Sequence, residues 1–186
     1  MSTTYERLLK LADSLIQKNG FEGFSYADLA KEMGIRKASI HHHFPAKTDL
    51  GIAYCEFKTE AFRALETRIL TLPDGLQQLD AYISAFSGCA QRGEMCGVYA
   101  MLSDCELFSP ELKSAVRKLA EFELDILGSI LKRGKDAGLL FFEICPETMA
   151  MIICNAVKGA LLLNRIETYD AAEKNRQALL TMLTKR

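Results

Sequence analysis

Helical periodicity of the apolar residues is the feature that most constrains this chain. Between its prolines at 45, 73, 110 and 146, apolar residues recur at intervals of three and four, the spacing that puts them on one face of an α-helix. Each proline stands where one such pattern ends and another begins, and proline is favoured in the first turn of a helix. No stretch alternates as a half-buried strand does, so the sequence predicts an all-α fold of about nine helices.

Composition and apolar run length limit the class of protein. The 186 residues are 49% hydrophobic and 25% charged, which is typical of soluble globular chains. The longest apolar stretch, residues 149–163, is interrupted by Asn155 and Lys158 and is shorter than the ~18 apolar residues of a membrane span. The first residues carry charges where a signal peptide has an apolar core. We therefore expect a cytoplasmic protein with no membrane partner.

Neither a metal site nor an enzyme is predicted. The six cysteines form no Cys-x-x-Cys pair, and adjacent histidines on a helix point about 100° apart, so the tract at 41–43 cannot converge on one ion. No phosphate loop, Gly-x-Ser-x-Gly or His-Glu-x-x-His motif occurs, and no histidine follows residue 43. The carboxylates of the later chain, Glu94 and Glu123 among them, fall mostly on predicted solvent faces. We expect no catalysis, no cofactor and no metal.

Two short helices joined by a glycine are predicted within the first fifty residues. A first helix ends near Gly20, which fits a left-handed cap. Ser25 begins the next with a capping-box-like pattern, and Gly34 ends it after barely two turns. The following helix, 38–44, has only Ile40 and Phe44 as buried candidates. This is the helix-turn-helix pattern.

The second short helix has the composition of a helix that reads DNA. Small residues allow a helix to enter the major groove, and flanking donors bind phosphates. Although the net charge is only −1, four of the seven Lys/Arg residues in positions 1–50 lie between Lys31 and Lys47. The predicted DNA-binding residues are Ser25, Tyr26, Arg36, Lys37, Ala38, Ser39, His41, His42, His43 and Lys47.

These residues resemble the DNA-binding domain of the TetR/AcrR family of one-component repressors. The segment FEGFSYADLA resembles the family's GF..TT..DIA, and GIRKASIHHHFPAK resembles GVSKGTLYHHFPSKE. The family commonly has tyrosine where this chain has His41, so a phosphate contact becomes an imidazole that titrates near neutrality. The resemblance implies a three-helix helix-turn-helix domain over 1–50 and an all-helical regulatory and dimerisation domain over 51–186.

The resemblance also implies that two C-terminal helices form a four-helix bundle with a second subunit. Small residues at 156, 159 and 160 are compatible with close helix approach, although an intramolecular core is the alternative. The expected partners are palindromic operator DNA, a second copy of the chain, and a small apolar or electrophilic effector. The candidate pocket residues are apolar, with a few sulfurs and hydroxyls: Tyr82, Phe86, Cys89, Cys96, Tyr99, Met101, Cys105, Phe122, Ile126, Met149 and Ile153. Many of these can equally be plain core.

Two cysteines suggest a second mode of sensing. The segment CGVYAMLSDCELFSPEL resembles one in a subgroup of the family that includes the electrophile- and bleach-responsive NemR repressor. A helix beginning at Cys96 would favour its thiolate, whereas nearby acidic residues oppose it, so Cys96 and Cys105 are redox candidates. The predicted function is a homodimeric repressor released by a small molecule. The alternatives are a thiol-based repressor and a helical protein-interaction module without DNA binding.

Overall fold

The all-α class is confirmed by the computed structural model, which describes residues 3–166 and 170–184. Within those ranges it contains ten α-helices and one 3₁₀-helix, and no strand. The count of about nine was too low because the helices Ser87–Gln91 and Gly97–Ser103 hold too few residues to show a period. The α-helices are α1 (Thr4–Asn19), α2 (Tyr26–Met33), α3 (Lys37–His43), α4 (Lys47–Ile69), α5 (Leu76–Ser84), α6 (Ser87–Gln91), α7 (Gly97–Ser103), α8 (Pro110–Asp136), α9 (Pro146–Leu163) and α10 (Ala171–Thr184), and the 3₁₀-helix spans Cys105–Leu107.

The first compact unit is built from two separate stretches of chain. It contains the residues up to Glu60 together with Gly97–Leu119. The Phe21 ring lies edge-on to the Phe108 ring, with centroids 5.3 Å apart, so an aromatic contact joins the two stretches. The functional boundary that the sequence suggests at residue 50 stays a prediction.

Helix caps define the ends of the first helices. The Ser25 side chain accepts hydrogen bonds from backbone N–H groups of α2, and Asp28 reciprocates, which confirms the predicted capping box. Gly34 ends α2 in the left-handed region, with φ 65° and ψ 34°. Gly20 has a positive φ of 82°, but its ψ of 166° lies outside the left-handed helical region. The predicted left-handed cap is therefore wrong at Gly20, although glycine is still the residue that adopts this φ easily.

The second compact unit contains α9, one face of which lies in its core. It contains Ala61–Cys96 and the chain from Ala120 onward. One face of α9 is buried, with Ile153, Val157 and Leu161 at 4% exposure or less. Helix α10 packs against α9 and α5.

Helix α9 is longer than the apolar stretch read from the sequence. It begins at Pro146 and has 18 residues, so by length and composition it could cross a membrane. Length alone therefore does not exclude a span, contrary to the sequence-based argument. Core helices of soluble proteins meet the same criterion, and this helix contributes a face to the core of the second unit.

Candidate nucleic-acid interface and sensor cavity

Helix α3 presents polar and small side chains to solvent. Ile40 is fully buried, and Phe44, just beyond the end of the helix, is 2% exposed. The remaining side chains along this turn are exposed apart from the half-buried His43; the exposed ones are Arg36, Lys37, Ala38, Ser39, His41 and His42. A helix that buries two side chains and exposes most of the others has a polar surface that can bind a polar partner.

His41 is held by the loop that follows α3. Its Nδ1 lies 3.1 Å from the Pro45 carbonyl oxygen, and a carbonyl only accepts hydrogen bonds, so Nδ1 carries the hydrogen in this arrangement. In a neutral ring Nε2 is then an acceptor, and phosphate oxygens are also acceptors. Donation from Nε2 to a phosphate therefore requires the protonated ring.

Tyr26 has a structural role that the sequence-based set of DNA contacts missed. Its side chain is buried, and its hydroxyl donates to the carbonyl oxygens of Phe44 and Ala46, at 3.0 Å and 2.7 Å. Burial, with a smaller effect of the Asp49 charge, raises the pKa of Tyr26 to about 12. The hydroxyl is bonded to the backbone after α3, so Tyr26 helps to position that helix, and its contact with DNA stays a prediction.

Lys47 lies at the first residue of α4, within reach of a competing carboxylate. Its Nζ is 3.3 Å from Glu22 Oε2 and lies over the Phe21 and Phe24 rings, 4.8 Å and 4.9 Å from their centroids. The ammonium is thus held against the loop between α1 and α2. A phosphate would have to replace Glu22 beside this ammonium, and no local sequence pattern indicates that competition.

The second unit contains a cavity of about 310 Å³. Its apolar side is formed by Ile83, Phe86, Val157 and Leu161, and its polar side includes Asn164, Asp170, Glu173 and Arg176. The volume and the mixture of apolar wall and a few polar groups are those of small-molecule sites.

A buried ion pair lies beside this cavity. Lys158 Nζ is 2.6 Å from Glu123 Oε1, and the two side chains are 0% and 1% exposed. The Tyr82 hydroxyl donates to the same carboxylate oxygen at 2.9 Å, and the Lys158 ammonium lies 3.0 Å from the centroid of the Phe86 ring. Phe86 therefore contacts a buried charge and also lines the cavity.

The electrostatics of the pair favour the charged form of the lysine. Burial by itself lowers the pKa of Lys158, but attraction to Cys96, Glu123 and Cys154 outweighs it and raises that pKa above its ordinary value. Burial, and then the negative charge of Glu123, raise the pKa of Tyr82 well above its usual range. Tyr82 therefore acts as a neutral donor to the carboxylate.

Comparison with known proteins identifies the family of the chain. The family model described as bacterial regulatory proteins, tetR family, matches residues 8–54, the segment that contains α2 and α3. A solved transcriptional regulator of the TetR family from Agrobacterium tumefaciens is 31% identical, with a TM-score of 0.89 over 97% of each chain. The chain belongs to the TetR family. It is therefore a DNA-binding transcriptional regulator with a helix-turn-helix.

Two further TetR-like comparisons are more distant. The Escherichia coli NemR structure in its reduced form is 23% identical, with a TM-score of 0.82 over 97% of each chain, and at that identity it shows the fold alone. The nucleoid occlusion factor SlmA of Vibrio campbellii is 27% identical over 84% of this chain and 80% of its own. NemR is one of several structural neighbours of this TetR-family chain, so the subgroup stays a prediction.

The predicted pocket residues of this TetR-family regulator divide between its two units. Tyr99, Met101 and Cys105 belong to the first unit, and the others to the second. Of the predicted set, Phe86 lines the 310 Å³ cavity, and Tyr82 joins the buried ion pair. The remaining predicted residues are buried or half-buried, which is also what plain core residues show.

Sequence reasoning about the carboxylates of the regulator was wrong at two positions. Glu123 and Glu94 are 1% and 3% exposed, whereas both were assigned mostly to solvent faces. Glu123 is compensated by Lys158, and Glu94 Oε2 accepts from Arg92 Nε at 2.6 Å. One signal was present in the sequence, because Lys158 is the lone charge in residues 149–163 and a lysine within an apolar helix needs a partner.

The redox candidates of this TetR-family chain differ in burial. Cys96 is 4% exposed and directly precedes α7, which begins at Gly97. Cys105 is half-buried in the 3₁₀-helix. All six thiols are free, and the exposed one is Cys145, which the sequence did not single out. Within residues 3–166 and 170–184, no group of three His, Cys, Asp or Glu side chains is arranged to hold a metal.

Proposed function

We propose that this chain is a cytoplasmic, homodimeric repressor that binds a palindromic operator and is released from it by a small effector. The observation that carries the proposal is the outward face of α3, where cationic, hydroxyl and imidazole groups surround a single buried isoleucine. Such a helix has donors for phosphates and base edges and an N-terminal end, at Ala38 and Ser39, small enough for a major groove.

The proposed contact set follows the exposed side chains. Tyr26 is left out because its hydroxyl serves the backbone, and it is proposed to hold α3 in its reading position. Lys47 is proposed to exchange Glu22 for a phosphate. The proposed DNA-binding residues are Ser25, Arg36, Lys37, Ala38, Ser39, His41, His42, His43 and Lys47, within a DNA-binding domain of residues 1–50.

Exposed apolar side chains on α9 and α10 support the homodimer. Ile152, Leu162, Leu163 and Met182 are between 45% and 70% exposed, which is unusual for large apolar residues on neighbouring helices of one unit. Gly159 has open space where a side chain would begin, so a second helix can approach α9 closely there. A two-fold dimer would also bring two α3 helices to the two half-sites of a palindrome.

The cavity of the second unit supports release by a bound effector. The chain crosses from one unit to the other at three points: within α4, between Cys96 and Gly97, and within α8. A conformational change in the second unit can therefore reach the first unit through continuous chain. An effector would release DNA by binding more tightly to the subunit arrangement in which the two α3 helices do not fit both half-sites. Residues 51–186 are the proposed sensing and dimerisation domain.

A thiol-based mechanism is the second candidate, favoured by the position of Cys96. This free thiol directly precedes α7, which begins at Gly97, and it interacts electrostatically with the buried Lys158 ammonium. Replacing Cys96 and Cys105 with serine should abolish release of DNA by N-ethylmaleimide or hypochlorite. Unchanged release in the double variant would end this candidate.

A gel shift with the chain's own upstream DNA, titrated with salt, tests the first proposal. A steep loss of affinity with salt, together with preference for one sequence, is expected. The variant Lys37→Gln should bind more weakly at every salt concentration and with a shallower salt dependence. Weak, sequence-blind binding with no effect of this substitution would contradict the proposal and favour a protein-interaction module.

A further inference from the structure

The cavity of the second unit has an apolar wall and an acidic rim. Phe86, Val157 and Leu161 form part of the wall, and Asp170 and Glu173 lie at the polar side. Both carboxylates belong to exposed residues. An occupant that reaches both regions would have an apolar body and a polar end.

The rim's only cation in the described lining, Arg176, is already neutralised. Its Nε and Nη2 donate to the two oxygens of Asp80, at 2.6 Å and 2.9 Å, and its Nη1 donates to Glu173 Oε1 at 3.0 Å. Two parallel charge-assisted hydrogen bonds make the contact with Asp80 a strong one. The described lining thus holds two carboxylates, Asp170 and Glu173, and one guanidinium that Asp80 also binds, so this side of the cavity has an excess of negative charge.

The apolar wall does not offer its own site for a positive charge. The Phe86 ring already receives the Lys158 ammonium, and a second cation on the same ring would be repelled. The apolar body of a ligand therefore belongs against Phe86, and its charged end belongs at the rim.

Helix α9 keeps this cavity apart from the proposed dimer surface. At about 100° per residue, Val157 and Leu161 lie on one side of α9, while Ile152 and Leu163 lie on the opposite side. An α9 face that meets a second subunit would leave the cavity face free for a ligand.

We propose that this cavity binds lipophilic organic cations, with apolar groups against Phe86, Val157 and Leu161 and the positive charge near Asp170 and Glu173. The inference deepens the proposed function, since it assumes that the second unit is the effector-sensing one. It replaces the expected small apolar or electrophilic effector with a chemical class set by the charge of the rim.

Two ions of the same shape and opposite charge test the proposal. Full-length protein is titrated with tetraphenylphosphonium and, separately, tetraphenylborate, by calorimetry at physiological salt. The phosphonium should bind about tenfold more tightly or better, because opposite charges attract and like charges repel at the partly solvated rim. This comparison needs no variant, so it does not depend on how any substitution folds.

The double variant Asp170→Asn/Glu173→Gln then assigns the preference to the rim. It should lose about tenfold in phosphonium affinity and most of the discrimination against borate. Both substitutions should preserve the local structure. Asn caps the N-terminus of a helix as well as Asp does at position 170, just before α10, and Gln at position 173 keeps an oxygen that can accept from Arg176. Glu143→Gln, which removes an exposed carboxylate outside the lining, is the matched control and should leave both affinities unchanged.

Measuring operator binding in the same titration separates this inference from the function on which it rests. Phosphonium binding that is lost in the double variant supports the inference, even if operator binding does not change; in that case the effector-release proposal fails. Equal binding of the two ions, tighter binding of the borate, or binding of neither ion would overturn the inference.

Discussion

Removing the positive member of the buried ion pair should destabilise the protein strongly. Lys158→Met keeps a flexible, unbranched side chain of similar length but leaves the Glu123 carboxylate without its cation. Because the pair is 0% and 1% exposed, water cannot replace the lost partner, and the single hydrogen bond from the Tyr82 hydroxyl to this carboxylate oxygen does not replace a positive charge. Breaking a buried pair in this way costs about 3–5 kcal/mol.

The expected loss is large enough to measure by thermal denaturation. For a chain of this size, each kcal/mol shifts Tm by about 2–4 °C, so Lys158→Met should lower Tm by roughly 6–20 °C. Circular dichroism at 222 nm follows the helices through the transition. Protein concentration must be held constant, because association would make Tm depend on it.

Two further variants identify the cause of the loss. Lys158→Met/Glu123→Gln should be more stable than Lys158→Met alone, because the second change removes the uncompensated charge and keeps an oxygen for Tyr82. Lys132→Met is the matched control, because it breaks an exposed ion pair of similar geometry. Lys132 Nζ lies 2.5 Å from Asp136 Oδ2, and the two side chains are 64% and 62% exposed. This variant should cause no measurable change in Tm. The reasoning is refuted if Lys158→Met and Lys132→Met have the same Tm, or if the double variant is the least stable.

Three other outcomes follow from the described contacts. Glu22→Gln should tighten operator binding a few-fold by freeing Lys47 for phosphate, whereas Lys47→Gln should weaken it; equal affinities in a gel shift would contradict this. His41→Ala should weaken operator binding, because it removes the ring that lies with Nδ1 3.1 Å from the Pro45 carbonyl oxygen and is proposed to contact phosphate; unchanged affinity in a gel shift would contradict it. Iodoacetamide at pH 8 should label the exposed Cys145 first and Cys55 last, because burial, with a smaller effect of the neighbouring Glu56 charge, raises the pKa of Cys55 to about 12; peptide mass spectrometry that finds the reverse order would contradict it.

The sequence predicted the longer helices and the two short helices of the helix-turn-helix well, but it did not predict the five-residue helix α6. The final helix, expected from about residue 171 to 183, runs from Ala171 to Thr184, since its apolar spacing covers several turns. Helix α6 has five residues, which is too short for a period of three to four to repeat. The cap at Ser25 was predictable because a capping box depends on residues three apart, whereas the ψ of Gly20 depends on the loop that follows it.

The functional residues divide in the same way. The polar outward face of α3 was evident from the sequence, because a helix with two apolar residues can bury only one side. The internal role of Tyr26 was not, because its acceptors at residues 44 and 46 are brought to it only by the turn between α2 and α3. The same holds for the cavity lining, where of the predicted residues Phe86 alone reaches the described space.

By itself, the sequence determined the all-α class, the helix-turn-helix and the family, because these depend on spacings of a few residues within one stretch of chain. Only the tertiary structure decided which charges are buried and which residues meet across the second unit. Lys158 and Glu123 are 35 residues apart in the chain, and Arg176 and Asp80 are 96 apart. No local pattern encodes such pairs, because burial and charge compensation depend on which helix faces lie opposite one another after folding.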